Sequence, residues 1–262
     1  MPAFVRDLVQ SFKQLRLLPS AAAVSFNAVW SLPPLAVLLL ALAGYLDLTG
    51  AWKDHLGPQV EKRVTPQAWA AIDSTVNKIL GAPHFTWVVV GAVLATWHVS
   101  GLVRASTGAL NAIFEEQESR GGFEQIWKSV AAAIPVVILA CLALLIAIGG
   151  RLISADGFAG AVLFVARWAV AAVVLWALLA IIIRVAPSAR PHARWVSLGA
   201  ALAVGGWIAA SIAFGIYIGY IANFRSAYGN LISVMLLLAY VYTLSVIFLA
   251  GVVVDTTIAK RT

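Results

Sequence analysis

The chain is short of charge, of acid and of cysteine. Of its 262 residues only 11% are charged, against about 25% in an ordinary soluble domain. Too little charge excludes a disordered chain, which needs it to stay solvated, and argues against a soluble enzyme. The single cysteine, Cys141, excludes an intrachain disulfide. It lies within an apolar run and reads as a small buried hydrophobe. Asp and Glu together number 11, and most sit in the polar segments between apolar runs. Neither GxxxxGKS/T, HExxH nor GxSxG occurs. Glu115, Glu116 and Glu118 cluster beside Arg120, but three acids in one short loop are the pattern of a solvated face. A metal-dependent nuclease needs carboxylates or histidines converging on a rigid frame. The sequence therefore predicts no catalytic residues, no metal and no cofactor.

What the chain has instead is apolar length. Hydrophobic residues make up 62% of it, and the mean hydropathy is +0.93. A helix needs about 20 apolar residues to cross about 30 Å of hydrocarbon. Six segments meet that length: 21–46, 85–103, 129–149, 159–183, 195–222 and 231–254. Runs this uniform lack the alternation of a lipid-facing barrel strand. The first starts too late and runs too long for a signal peptide, and a second span follows it. The expected fold is all-α: one integral membrane domain over residues 1–262, a bundle of six transmembrane helices.

Lys and Arg orient it. Arg6, Lys13, Arg16, Arg104, Arg120, Lys128, Arg184, Arg190, Arg194, Lys260 and Arg261 fall on one side, eleven in all. Lys53, Lys62, Arg63, Lys78, Arg151 and Arg225 make six on the other, with Asp47, Asp54, Glu61 and Asp73 among them as balance. The positive-inside rule places both termini in the cytoplasm. The net charge of +7 is thus an orientation signal, and no nucleic-acid partner is needed to explain it. Trp87, Tyr45 and Tyr228 fall near the outer boundary and Trp127 and Trp195 near the inner one, where amphipathic rings anchor.

Two further helices are expected outside the spans. In the arm, residues 1–20, Phe4, Leu8, Phe12 and Leu15 share a face, which suits an amphipathic helix in the inner interface. In the outer loop Val60, Val64, Ala68, Ile72, Val76 and Leu80 recur every fourth residue, interrupted at Pro66. Proline there predicts a kink or two short helices. They would form a lid packed on the bundle or lipid, or else a gate over an outward cavity.

Polar groups inside spans are costly and mark candidate function. Arg167 lies about 12 Å into span four. It would either snorkel outward or hold an anion in a polar cavity, with Asp156 near in sequence. His98, between Trp97 and Ser100, has no second ligand at metal spacing and reads as a packing residue. Asn27 and Ser31 precede Pro33 and Pro34, which predict a kinked or broken span. Such breaks are tolerated where protein or a water-filled cavity satisfies the freed carbonyls; a plain packing kink is the alternative. Span five carries Gly199, Ala203, Gly205, Gly206, Ala210, Gly215 and Gly219. Small residues allow close approach, so span five is expected at the centre of the bundle or of a homo-oligomer. Tyr217 and Tyr220 in span five and Tyr240 and Tyr242 in span six carry hydroxyls that need partners.

In order along the chain, these features resemble the YihY/BrkB family of bacterial inner-membrane proteins, from about Leu15 to Asp255. Near span one the family pattern is matched by Ala21-Ala22-Ala23-Val24-Ser25-Phe26-Asn27 and by Ser31-Leu32-Pro33-Pro34-Leu35. Leu110-Asn111 with Phe114 follow span two, and Arg184 and Pro187 end span four. Arg194-Trp195, Gly199-Ala200, Trp207, Phe214 and Tyr217 come next; Tyr228-Gly229 opens span six and Gly251 closes it. The chain departs at Ala239-Tyr240, where members carry Trp, and at Val253, where they carry Glu; the nearest acid is Asp255.

The resemblance implies a multi-pass protein of the bacterial inner membrane. Members are linked to serum resistance and to envelope lipid or lipopolysaccharide traffic, and the family once bore a ribonuclease BN label. The expected function is a transporter or flippase of an envelope substrate such as an anionic lipid, with membrane lipids as partners. Arg167, Asn27, Ser31, Pro33, Pro34, His98, Tyr217 and Tyr240 are its substrate-path candidates. A non-transporting scaffold, or an envelope-integrity or virulence factor working through protein partners, is the alternative.

Overall fold

The computed structural model describes residues 16–46, 50–62, 64, 66–81, 85–116, 120–149, 157–185, 196–220 and 229–259. Among them there is no strand. In chain order the helices are α1 (Leu17–Tyr45), a π-helical turn (Ala51–Leu56), α2 (Gly57–Glu61), α3 (Pro66–Leu80) and α4 (Phe85–Ile113). Then come α5 (Gly122–Gly149), α6 (Gly157–Val185), α7 (Val196–Tyr220) and α8 (Gly229–Ala259). Five are long and apolar enough to cross a membrane: α1, α4, α5, α7 and α8. Helix α6 covers the expected fourth span and contributes the apolar stretch Trp168–Ile183. Of the expected arm, residues 1–15 lie outside the described residues and 17–20 belong to α1.

Helices α1 and α4 pack antiparallel along most of their length. Gly91 of α4 is pressed on the α1 backbone: a Cβ there would lie 2.9 Å from the Leu38 Cα. Around this seam Ala21, Val24, Leu38, Ala95, Val99, Val103 and Leu110 form the core with Ala133 of α5 and Leu249 and Val252 of α8. Helix α1 is the hub, touching α3, α4, α5 and α8.

Proline behaves differently at its positions in α1. Pro19 lies in the first turn, where an amide hydrogen has no intrahelical partner to lose. Pro33 and Pro34 lie in the interior and remove the donors for the Val29 and Trp30 carbonyls, yet the helix runs unbroken from Leu17 to Tyr45. The break admitted as one outcome from the sequence is not present. Long apolar flanks packed on α4 hold the helix together across the lost bonds.

Two expected boundaries were too short. Helix α4 continues ten residues past Val103 and α5 begins at Gly122, so Arg104 and Lys128 are helical, not loop residues. Hydropathy fades there because Arg104, Ser106, Thr107 and Asn111 are polar, but Ser106, Thr107 and Asn111 are buried by packing. Helix α4 closes in a Schellman turn. The Glu116 N–H donates to the Asn111 carbonyl at 2.9 Å, and Glu115 takes the left-handed conformation at φ 58° that glycine usually fills.

The outer segment does form separate helices on either side of the Pro66 boundary, α2 before it and α3 from it. Val76, Ile79 and Leu80 of α3 are buried, and α3 lies on α1 near Gly44. Trp52 clasps the two parts: its Nε1 donates to Asp73 Oδ1 at 3.0 Å and its ring stacks on Trp69 at 6.0 Å.

Helix α7 is not central. It packs chiefly on α8 and α6, and only 11% of its apolar window is buried, the least of the five candidate spans. Its small residues serve one neighbour: Gly199, Ala203 and Gly206 face α8, while Gly205 and Gly215 have open space beside them.

Candidate functional site in the α1 and α4 seam

The antiparallel register sets Asn27 of α1 against Gly101 of α4. Asn27 uses its amide hydrogen locally, Nδ2 donating to the Ala23 carbonyl at 2.9 Å. That leaves Oδ1 directed at Gly101, 2.8 Å from where a Cβ would stand. The Arg104 guanidinium flanks the same spot at 3.7 Å. Its Nη1 donates to Ser100 Oγ at 3.0 Å, and its Cζ lies 5.9 Å from the Trp97 ring centre. The missing side chain of Gly101 therefore lets the Asn27 amide oxygen press against α4 beside a guanidinium, where a Cβ would collide with it.

Charge is what distinguishes this place. Helix α1 has no charged residue at all, and Arg104 is the sole Lys, Arg, Asp or Glu in α4. Its bonds are to neutral groups, and among the described residues no carboxylate pairs with it. Exposed aromatics flank the seam: Trp97 on α4, and Phe26 and Trp30 on α1 with ring centres 6.0 Å apart.

Below the seam the interior is polar. Ser25, Ser31, Ser100, Ser106, Thr107, Asn111 and Ser129 are buried on α1, α4 and α5. Several hydroxyls donate to their own helix: Ser25 to Ala22, Ser31 to Ala28, Ser100 to Trp97, Thr107 to Val103 and Ser129 to Gln125, all within 2.6–2.9 Å. A hydroxyl so committed does not glue helices together; it turns acceptor lone pairs toward the interior.

The expected path residues separate into groups. Asn27, Ser31, Pro33, Pro34 and His98 belong to α1 and α4, with Ser31 and half-buried His98 near one level of the register. Tyr240 and Tyr217 belong to the α7–α8 pair. The Tyr240 hydroxyl bonds Ser211 Oγ at 2.7 Å, and Phe214 lies 5.1 Å from its ring and 6.1 Å from that of exposed Tyr217. No hydrogen bond or ring contact joins the two groups among the described residues. Arg167 and Arg184 lie in α6, but their side chains, like all of Pro187 and Tyr228, lie outside the described part. Leu110 and Asn111 are buried at the closing turn of α4, Gly229 opens α8, and Gly251 packs on Gly199.

Two residues went unrecognised as sites from sequence. Arg104 counted as a loop charge; its signal was Trp97 and Ser100 at seven and four residues before it, one helical face. Asp255 counted as an acid past the last span. It is 5% exposed and accepts the Gly199 N–H in the first turn of α7, while Oδ1 has no partner among the described residues. Among those residues no three or more His, Cys, Asp or Glu stand close enough to hold a metal.

A family model described as virulence factor BrkB matches residues 8–262. The chain is 26% identical over 267 residues to a ribonuclease-like protein, YfkH, of Bacillus subtilis, covering 99% of this chain and 96% of that one. It is 24% identical over 265 residues to UPF0761 membrane proteins of Xanthomonas campestris and Xanthomonas oryzae, covering 95% of this chain and 59% of theirs. No solved structure matches. A match across nearly the whole chain, in a molecule built from long apolar helices, places this protein in the YihY/BrkB family, the family of virulence factor BrkB.

Proposed function

We propose that the protein crosses the bacterial inner membrane six times with both termini in the cytoplasm, and that it moves or exchanges an anionic lipid of the envelope. The basic bias toward one side supports the orientation, and the membrane-protein name of the Xanthomonas relatives agrees with the compartment. The ribonuclease-like name of YfkH is not carried over, since no nuclease constellation is legible in the sequence.

The observation that carries the transport reading is the polar interior of α1, α4 and α5. A scaffold needs only apolar packing between its helices, whereas seven polar residues are buried in three apolar helices, a cost that marks a membrane segment as a candidate for function. Arg167, at mid-depth of the fourth span, is proposed as a second anion contact on the path.

The test is lipid movement in vesicles. Protein-containing vesicles should expose inner-leaflet fluorescent phosphatidylglycerol to a membrane-impermeant quencher well above the rate of empty vesicles. Arg167→Ala should slow that movement with the protein still folded. Equal rates with and without protein would leave the scaffold reading in its place.

A further inference from the structure

Depth along α4 makes Arg104 unusual. From Phe85 to Arg104 is nineteen residues, about 28 Å of helix, close to one hydrocarbon thickness of about 30 Å. Side chains on a helix tilt toward its N-terminus, and the guanidinium follows that tilt. It reaches back to Ser100 and over Trp97, a full turn deeper than its own Cα. It is therefore held within the apolar slab and does not snorkel away from it. A cation at that depth is costly unless an anion accompanies it, and neither α1 nor the rest of α4 supplies one.

We propose that Arg104, held in place by Ser100, binds the phosphate of an anionic glycerophospholipid in the leaflet facing the inner ends of α1 and α4. The guanidinium is the group suited to a phosphate, with planar donors that can engage two oxygens. Ser100 Oγ takes one of the five guanidinium N–H donors, which leaves donors for a phosphate. Trp97, Phe26 and Trp30, exposed to lipid on either side, present ring surface to the glycerol and upper acyl region, the level where such rings anchor. The occupant is a lipid and not a soluble anion because the seam opens between apolar, lipid-facing helices. The inference needs the chain to lie in a bilayer, and it does not need the chain to transport.

The experiment is lipid retention by the purified full chain in detergent, read by native mass spectrometry with equimolar phosphatidylglycerol and phosphatidylcholine. The wild type should keep phosphatidylglycerol over phosphatidylcholine by about fivefold, the ratio one basic group confers at a charged membrane surface. Arg104→Gln should bring the ratio to about one, and Arg104→Lys should leave a reduced preference. Should Arg104→Gln fail to fold, Arg104→Lys tests the same point, since it keeps the charge and loses the planar fork; it too should lower the ratio. A wild-type ratio near one, or an unchanged ratio in Arg104→Gln or in Arg104→Lys, overturns the proposal. So does release of the bound lipid by millimolar inorganic phosphate, which would mark a soluble-anion site. A wild-type preference with lipid movement no faster than in empty vesicles keeps this site and removes the transport reading; protein-dependent movement with a wild-type ratio near one does the reverse.

Discussion

The two antiparallel helix pairs, α1–α4 and α7–α8, handle charge in opposite ways. In α1–α4 the charge is a guanidinium at a half-open seam, bonded to neutral groups and bordered by exposed aromatics. In α7–α8 it is a carboxylate sealed at a glycine crossing. Gly199 and Gly251 bring the backbones so close that a Cβ on Gly251 would lie 2.7 Å from the Gly199 carbonyl oxygen. The Asp255 carboxylate lies on the first turn of α7, where free amide hydrogens and the helix dipole favour negative charge. Further along, Trp207 Nε1 donates to the Leu244 carbonyl at 2.7 Å and Ser211 meets Tyr240. The charged side chain of one pair sits against the first turn of its neighbour, and that of the other lies beside outward-facing aromatics. That difference, more than the number of polar residues, locates the candidate site on α1–α4.

The largest effect that would break this comparison is steric. Gly199→Ala places a Cβ against the Asp255 carboxylate and 2.8 Å from the Gly251 carbonyl oxygen, a backbone atom that cannot swing aside. It should cost about 3 kcal/mol in thermal or denaturant unfolding of the solubilised protein. Gly205→Ala, six residues along the same helix with open space beside it, should instead stabilise by about 0.5–1 kcal/mol through helix propensity. Equal effects at both positions would mean that α7 and α8 do not cross as described.

Next comes the carboxylate. Asp255→Ala removes the acceptor of a first-turn N–H and should cost about 1–3 kcal/mol. Asp255→Asn keeps a carbonyl oxygen there and relieves the buried charge, so it should cost clearly less. An Asn variant as unstable as the Ala variant would show that the negative charge itself is required, and the seal at α7–α8 would need a cationic partner.

At the open seam the same kind of glycine change should be milder. Gly101→Ala meets the Asn27 side-chain oxygen at 2.8 Å, the end of a side chain that can rotate away, so its cost in the same unfolding measurement should be about 1 kcal/mol. A loss as large as that of Gly199→Ala would make the seam as rigid as the α7–α8 crossing and erase the distinction. The smallest effect lies at the outer clasp. Trp52→Phe keeps the ring but loses the bond to Asp73, worth about 1 kcal/mol or less. It should show as faster amide exchange confined to α2 and α3, with α1 and α4 unaffected.

Much of the framework was legible because membrane helices announce themselves by apolar length, and the helices over 17–45, 85–113 and 229–259 stand where apolar runs do. The errors share a physical cause. Hydropathy windows end a helix at its first polar cluster, but packing carries it on, so α4 ran past Arg104 and a site residue was counted as loop charge. Asp255 was lost the same way, one residue beyond an expected helix end at Val254. Pro33 and Pro34 predict a kink or a break, and the break is absent because a helix embedded in a packed seam survives the loss of two bonds. Span five is not at the centre of the single-chain bundle because its small residues report one close neighbour there. Asn27, Ser31 and His98 were singled out from sequence alone, yet which of them meets a charge depended on the α1–α4 register, a tertiary fact that no local pattern contains.

The measurement that bears most directly on the account is the rate at which fluorescent phosphatidylglycerol crosses vesicles containing the wild type, Arg104→Gln or Arg104→Lys, at matched amounts of folded protein. The account predicts a rate for Arg104→Gln about fivefold below the wild type, an intermediate rate for Arg104→Lys, and little change for fluorescent phosphatidylcholine. Equal phosphatidylglycerol rates in all three would contradict it, leaving the open guanidinium between α1 and α4 without a part in lipid movement.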